Sequence, residues 1–369
     1  MSESGLSKFA RQMLARRGFS TVLDHAEKGY DLSSSLHSAD FLRLVDEADL
    51  PVLAALVAAR PMPDVALAAG PRAVRLRPVA LLPIAAILGD IRSLNSREER
   101  FARVRREITD RLSVLERASA SHSDLFVALD AWSGLFESAE LFRAVEFILE
   151  AIGRDPALKL LGPSSVEIRK LSQSSSLPVS EVLLRLNRSG LDSVEGGFDI
   201  EVLEKAAEMG FRIAAGQSVG KAEDSRRIFV DHLLQFRARV VRLGRVDAWF
   251  PWSQSVLDSK PRQVDSGGAD PLGARVLELI ALGRLLLPDV VFIRAPITLL
   301  GPKVAHVALS FGANDLGFAA AERGAREILG IWSWEQVRAL SEQGDRYRVI
   351  DDLISRPDSL IGREISNAT

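Results

Sequence analysis

The most unusual string in the chain is LSFGANDLG, Leu309–Gly317, where Asn314 and Asp315 set an amide beside a carboxylate between two glycines. Such a pair can hold polar substrate groups, since the amide both donates and accepts and the carboxylate accepts. Gly, Asn and Asp are also the usual turn residues, and on residue chemistry alone the string reads as a turn. Glu167, Asp192, Ser193 and Glu223 are the other polar residues placed near the ends of apolar runs. Glu167 and Glu223 could divide acid and base roles if their environments split their pKa values.

Other chemistries lack their residues. The chain has no cysteine, which excludes disulfides, thiolate nucleophiles and cysteine-held zinc or iron–sulfur centres. His25, His37, His122, His232 and His306 are scattered, without paired metal-ligand spacing. No phosphate-binding glycine loop of Walker type and no nucleophile elbow is present.

The elements that must position these residues follow from periodicity. Phe41–Arg60 carries apolar residues at three-and-four spacing, as helices do, and Pro51 suits the first turn of a second helix. From Val79 the pattern alternates: apolar runs at 79–88, 124–129, 157–162, 211–215, 246–252 and 290–295, and helical periodicity between them. HVALSF, from His306, reads as a further apolar run, with helices after it. Strand–helix alternation of this kind predicts a parallel sheet, and six to eight repeats predict a TIM-type (β/α) barrel. In such a barrel chemistry gathers where strands run out into loops, so polar residues after strands are the candidates.

Composition agrees with an ordinary globular α/β protein: 369 residues, 26% charged, formal net charge −2. A near-neutral balance gives no electrostatic reason to expect a nucleic-acid partner. Val79–Leu88 is too short to cross a bilayer and is interrupted by Pro83, and the start lacks a signal-type apolar core. The expectation is a cytoplasmic protein without a membrane partner.

Several segments, in order, resemble one known family. TLLGPKVAHVALSFGANDLG, Thr298–Gly317, is similar to the C-terminal signature of the radical S-adenosylmethionine enzymes that include dehypoxanthine futalosine cyclase, aminofutalosine synthase and deazaflavin-cofactor synthase. Its Gly301–Val304 step is closest to the cyclase. RSGLDSVEGG, Arg188–Gly197, resembles the family's AGLDS-(I/L)-PGG segment, with Glu195 where the family has proline. GPSSVEIRKL, from Gly162, keeps Glu167 and Ile168; VGKAED, Val219–Asp224, keeps Gly220 and Glu223 but has Lys221 for histidine; WFPW, from Trp249, resembles FIPW. The segment from Leu23 to Val57 resembles the family's helical leader.

The resemblance implies a radical-SAM-like (β/α) barrel over residues 71–318, an N-terminal helical leader over 1–70 packing on it, and a C-terminal helical extension over 319–369. It carries Glu167, Asp192, Ser193, Glu223, Asn314 and Asp315 over as ligand-binding residues. The family's 4Fe–4S cluster and S-adenosylmethionine are held through a C-x3-C-x2-C loop; the matching stretch here, Val74–Ser93, has no cysteine, and Ala131–Trp132 replaces a glycine pair that admits the cofactor. The expectation drawn is no cofactor, a cofactor end narrowed by Trp132, and a menaquinone-pathway (futalosine) role as auxiliary or substrate-binding subunit. Its expected partners are a cysteine-bearing radical S-adenosylmethionine homologue, as a heterodimer, and a small polar metabolite. The alternatives are acid–base chemistry at the barrel rim and a binding or scaffold role in another pathway.

Overall fold

A computed structural model describes residues 6–61, 73–82, 125–129, 158–219, 226–253 and 271–320, with short pieces between 99 and 110 and between 333 and 350. Five helices come first: α1 (Lys8–Arg16), α2 (Ser20–Glu27), α3 (Leu32–Ser35), α4 (Ser38–Asp46) and α5 (Leu50–Ala59). Asp49 caps α5 by accepting from the Val52 amide, and a proline stands in its first turn, where no donor is lost.

Among the described residues, eight strands and six helices then follow: β1 (Ala73–Leu82), β2 (Leu125–Leu129), β3 (Leu158–Leu160), α6 (Ser165–Ser175), α7 (Val179–Arg188), β4 (Ser193–Glu195), α8 (Ile200–Glu208), β5 (Arg212–Val219), α9 (Arg226–Arg239), β6 (Val246–Ser253), α10 (Pro271–Leu286), β7 (Phe292–Ile293), α11 (Ile297–Leu309) and β8 (Asp315–Ala320). A short β9 (Arg348–Ile350) pairs with the start of β1.

All pairings among the described residues are parallel. One sheet runs β3–β2–β1–β8, the other β4–β5–β6–β7. The sheets meet at two seams. At one, the Glu195 amide donates to the Pro163 carbonyl, 3.2 Å. At the other, Arg294 and Asp315 form a parallel bridge, and the Asn314 amide donates to Ile293 at 3.0 Å. Strand order thus follows the chain and returns to β1, a barrel-like α/β fold. The main apolar core lies between strands and helices, where Val74, Leu76 and Ala80 of β1 point. Among the described residues, the inward face carries two small apolar clusters, around Val79, Phe126 and Leu161 and around Ala214, Ala248 and Phe292.

Three expectations need correction. The first strand begins at Ala73, earlier than the apolar run, because it admits two buried arginines, Arg75 and Arg77. HVALSF belongs to α11, which is broken at Gly301 (φ 71°) ahead of Pro302; the strand follows the glycine turn instead. The C-terminal portion contains a strand, β9, where only helices were expected. Trp132 and its neighbour Ala131 lie outside the described residues, as does Glu223.

Candidate binding site inside the strands

Side chains on a strand alternate between faces, so Arg75, Arg77 and Val79 share the inward face of β1. Arg75 is 3% exposed and fully engaged at its two terminal nitrogens. Nη1 donates to Asp247 Oδ1 and Oδ2, 3.1 and 2.9 Å, and Nη2 to Asp315 Oδ2 at 2.7 Å. Its guanidinium lies 3.5 Å from the centre of the Phe292 ring. Asp315 also accepts from Arg294 Nε at 2.8 Å and, through Oδ1, from the Gly317 amide at 2.7 Å. Burial pushes the Asp315 carboxyl up, but the charges of Arg294, Arg75 and Arg77 and the bond from Arg75 outweigh it and hold the group well below the usual carboxylate range.

Further along the strands the pairing loosens. Arg294 Nη1 reaches Glu195 Oε2 at 3.3 Å, and Arg77 Nη1 comes only within 3.8 Å of Glu195 Oε1. Arg77 instead lies over two rings, 4.2 Å from the centre of Phe318 and 5.0 Å from that of Phe126. Arg294 stands 5.2 Å from the ring centres of Phe250 and Phe318. Among the described residues, Nε and Nη2 of Arg77 and Nη2 of Arg294 are buried without a hydrogen-bond partner. Burial, followed by the charges of Arg75 and Arg294, pushes the Arg77 guanidinium down to about 10.

These contacts draw Arg77, Phe126, Glu195, Phe250, Arg294 and Phe318 from strands of both sheets, which only a common interior allows. Phe250, Phe318, Glu195 and Trp252 are partly exposed, so the interior opens on their side. Trp252 is fixed there by donating Nε1 to the Gly216 carbonyl at 2.9 Å. A Cβ at Gly216 would stand 2.7 Å from the Phe250 ring, so the glycine makes room for that ring. Among the described residues, this side of the interior therefore sets Phe250 and Phe318 beside two guanidinia with spare donors, suited to a flat, polar or anionic small molecule.

The six residues proposed from sequence do not meet at one place. Asp315 is in the interior, but at the start of its strand, with all its acceptor bonds made inside the protein. Asn314 is a structural knot: its Oδ1 accepts from Arg284 Nη2 (2.8 Å) and the Ile293 amide (2.9 Å), and its Nδ2 donates to the Val291 carbonyl (2.9 Å). Glu167 closes a capping box on α6, its Oε2 accepting from both the amide and the hydroxyl of Ser164 at 2.8 Å. Asp192 is exposed and pairs with Arg212 ahead of β4. Ser193 is buried at the β3–β4 seam, where a Cβ at Gly162 would lie 1.8 Å from its carbonyl oxygen. Glu223 lies outside the described residues. The signal for the interior arginines was legible: two arginines spaced by two in VRLRPVALL, and Arg294 in VVFIRAP, are charges on one face of otherwise apolar strands.

Among the described residues no group of three or more histidine, aspartate or glutamate side chains could hold a metal, and no helix is long and apolar enough to cross a membrane.

No protein-family model matches the chain. Curated relatives do match. The 5-amino-6-(D-ribitylamino)uracil–L-tyrosine 4-hydroxyphenyl transferase 2 of Methanosarcina mazei is 29% identical over 201 residues, covering 47% of this chain and 52% of its own. Transferase 1 of Methanosarcina acetivorans is 25% identical over 261 residues, covering 63% and 66%. The chain spans about half to two thirds of the length of the curated relatives it matches. Two solved structures share the fold: HydG, a maturase of the FeFe-hydrogenase (TM-score 0.53, 14% identity, 94% of this chain and 79% of that one), and methylornithine synthase, PylB (0.50, 14%, 86% and 99%). The relatives named here join 5-amino-6-(D-ribitylamino)uracil and L-tyrosine in their names, so the likeness to a futalosine cyclase in particular is not what these matches show. They are radical S-adenosylmethionine enzymes that use a 4Fe–4S cluster and S-adenosylmethionine, which corrects the expectation of no cofactor. What the chain itself establishes is narrower: without cysteine its own residues do not fit a thiolate-held cluster.

Proposed function

We propose that the protein binds a small ring-bearing polar metabolite at the aromatic mouth of the barrel-like fold, in or derived from cofactor biosynthesis. In this reading it works beside a cysteine-bearing homologue that supplies the thiolates for the radical step. The observation that carries it is the partly exposed pair Phe250 and Phe318 beside buried Arg77 and Arg294, with Glu195 reaching Arg294. Flat rings stack on such side chains, and hydroxyls or amines of a ribityl or amino-acid group pair with the carboxylate and guanidinia. The relatives' names pair a ribitylaminouracil with tyrosine, and both have this character. Sequence kinship to those transferases supports the deazaflavin branch over the futalosine branch. The acid–base alternative draws no support from Glu167, whose carboxylate is engaged at a helix cap.

The test is thermal shift and calorimetric titration of the full chain with 5-amino-6-(D-ribitylamino)uracil, L-tyrosine and futalosine-branch intermediates, with and without a cysteine-bearing homologue from the same genome. Stabilisation by a ribitylaminouracil or tyrosine is expected. No stabilisation under any of these conditions would sink the reading.

A further inference from the structure

Among the described residues, three guanidinia and three carboxylates meet in the interior, but the pairing is uneven. Asp247 and Asp315 take both ends of Arg75, and Asp315 also takes Arg294. Glu195 is left to serve Arg294 at 3.3 Å and Arg77 at 3.8 Å, both longer than the roughly 2.7–2.9 Å of a good charge-assisted bond. Arg77 is 3% exposed and retains two unpartnered nitrogens, with a third on Arg294. Glu195 is 14% exposed, on the side where Phe250 and Phe318 open to solvent. Its backbone is pinned: the Gly196 amide donates to Ala214, and the Gly197 carbonyl accepts from Gly216. With the backbone held on either side, displacing the carboxylate takes a rotation of the side chain alone.

The geometry points to an anion subsite at Arg77 and Arg294, in which the Glu195 carboxylate is a built-in occupant that the carboxylate of an incoming small molecule displaces. A planar ligand carboxylate has two acceptor oxygens and can approach both guanidinia from the mouth, using donors that Glu195 reaches only at long range. Space is supplied by the exchange itself: when the Glu195 side chain swings toward solvent it vacates its volume and recovers hydration. An aromatic ring attached to that carboxylate then sits against Phe250 and Phe318. The subsite selects ring-bearing carboxylates over their neutral counterparts. It shares the mouth with the proposed function but depends neither on the partner nor on the pathway.

The test compares 4-hydroxyphenylacetate with its neutral amide, 4-hydroxyphenylacetamide, by calorimetry and thermal shift on the full chain. Removing the competitor, Glu195→Ala, is expected to tighten the carboxylate by about tenfold, the effect of one charge-assisted pair, and to leave the amide within about threefold. In the same variant the carboxylate, but not the amide, raises Tm more than in the unaltered protein. Arg77→Gln removes the preference for the carboxylate. Equal binding of acid and amide by the Glu195→Ala variant, or binding of neither, overturns the subsite whether or not Arg77→Gln folds. Because the readout is the difference between acid and amide, a failure of the pathway assignment leaves it untouched.

Discussion

Arg75 and Asp315 are register partners on neighbouring parallel strands, and their side chains meet at 2.7 Å, both almost wholly shut off from solvent. Taking two charges out of water is costly, and the pair is stable because each makes further bonds. Removing one partner leaves the other charge buried and uncompensated. Asp315→Asn is therefore expected to lower the unfolding free energy by about 3–5 kcal/mol, measured by urea denaturation. A loss under about 1 kcal/mol for the single change would show that water reaches the interior pair.

The same carboxylate sets an acid limit. Its folded pKa is depressed, so the unfolded chain takes up the proton first. The stabilisation is fully present above the unfolded carboxylate value of about 3.9 and is lost as pH falls from there toward the folded value. Asp31 acts in the same window: burial opposes, but bonds from Arg237, Ser33 and Ser34 bring it to about 2. Unfolding midpoints should fall steeply below about pH 4, and Asp315→Asn should flatten that limb. An unchanged acid limb in Asp315→Asn would rule this out.

Asn314 is expected to matter for stability and not for ligand affinity. Asn314→Ala strands the Arg284 guanidinium, the Ile293 amide and the Val291 carbonyl. Burial and the nearby charge of Arg60 already push Arg284 down to about 9. A loss of about 1–3 kcal/mol in unfolding free energy is expected, with ligand dissociation constants unchanged once corrected for unfolded protein.

The β3–β4 seam is tested at Gly162. A methyl group there meets the Ser193 carbonyl at 1.8 Å, a backbone atom that can yield only if the strands part. Gly162→Ala should destabilise by about 1–3 kcal/mol, as overpacking does, and raise hydrogen exchange in β4. A neutral result would mean the seam is not fixed.

At the start of α6, Ser164→Ala should cost about 1 kcal/mol, the worth of an N-cap. Glu167→Gln keeps an acceptor in the capping box and should change stability less than Ser164→Ala while leaving ligand binding intact. Loss of binding in a folded Glu167→Gln protein would return Glu167 to the site.

Much of the fold was legible because period decides it. The helices at 179–188, 200–208 and 226–239 and the strands after 124, 211 and 246 fall where the apolar spacing put them. The start of β1 was not, because Arg75 and Arg77 break the apolar run while their alternation still satisfies a strand. The apolar run before GAND suits a strand as well as a helix; it ends α11, and the strand begins at Asp315 within GAND. The candidate site was missed for a related reason. A barrel rim singles out carboxylates and amides after strands, whereas the interior is built on arginines, and the partners of Arg75 lie 172 and 240 residues away in sequence. Spacing along the chain carries no trace of such distances.

An interior tiled with guanidinium and carboxylate has a consequence for heat capacity. Unfolding a barrel filled with branched aliphatic side chains exposes apolar surface, which raises heat capacity; exposing polar surface lowers it. Here the inward layer releases Arg75, Arg77, Arg294 and Asp315 to water. That layer's contribution to the curvature of stability against temperature is correspondingly small. The hydration that these ions recover on unfolding also becomes less favourable as temperature rises, so the ionic interior loses less stability on warming than an aliphatic one of equal area.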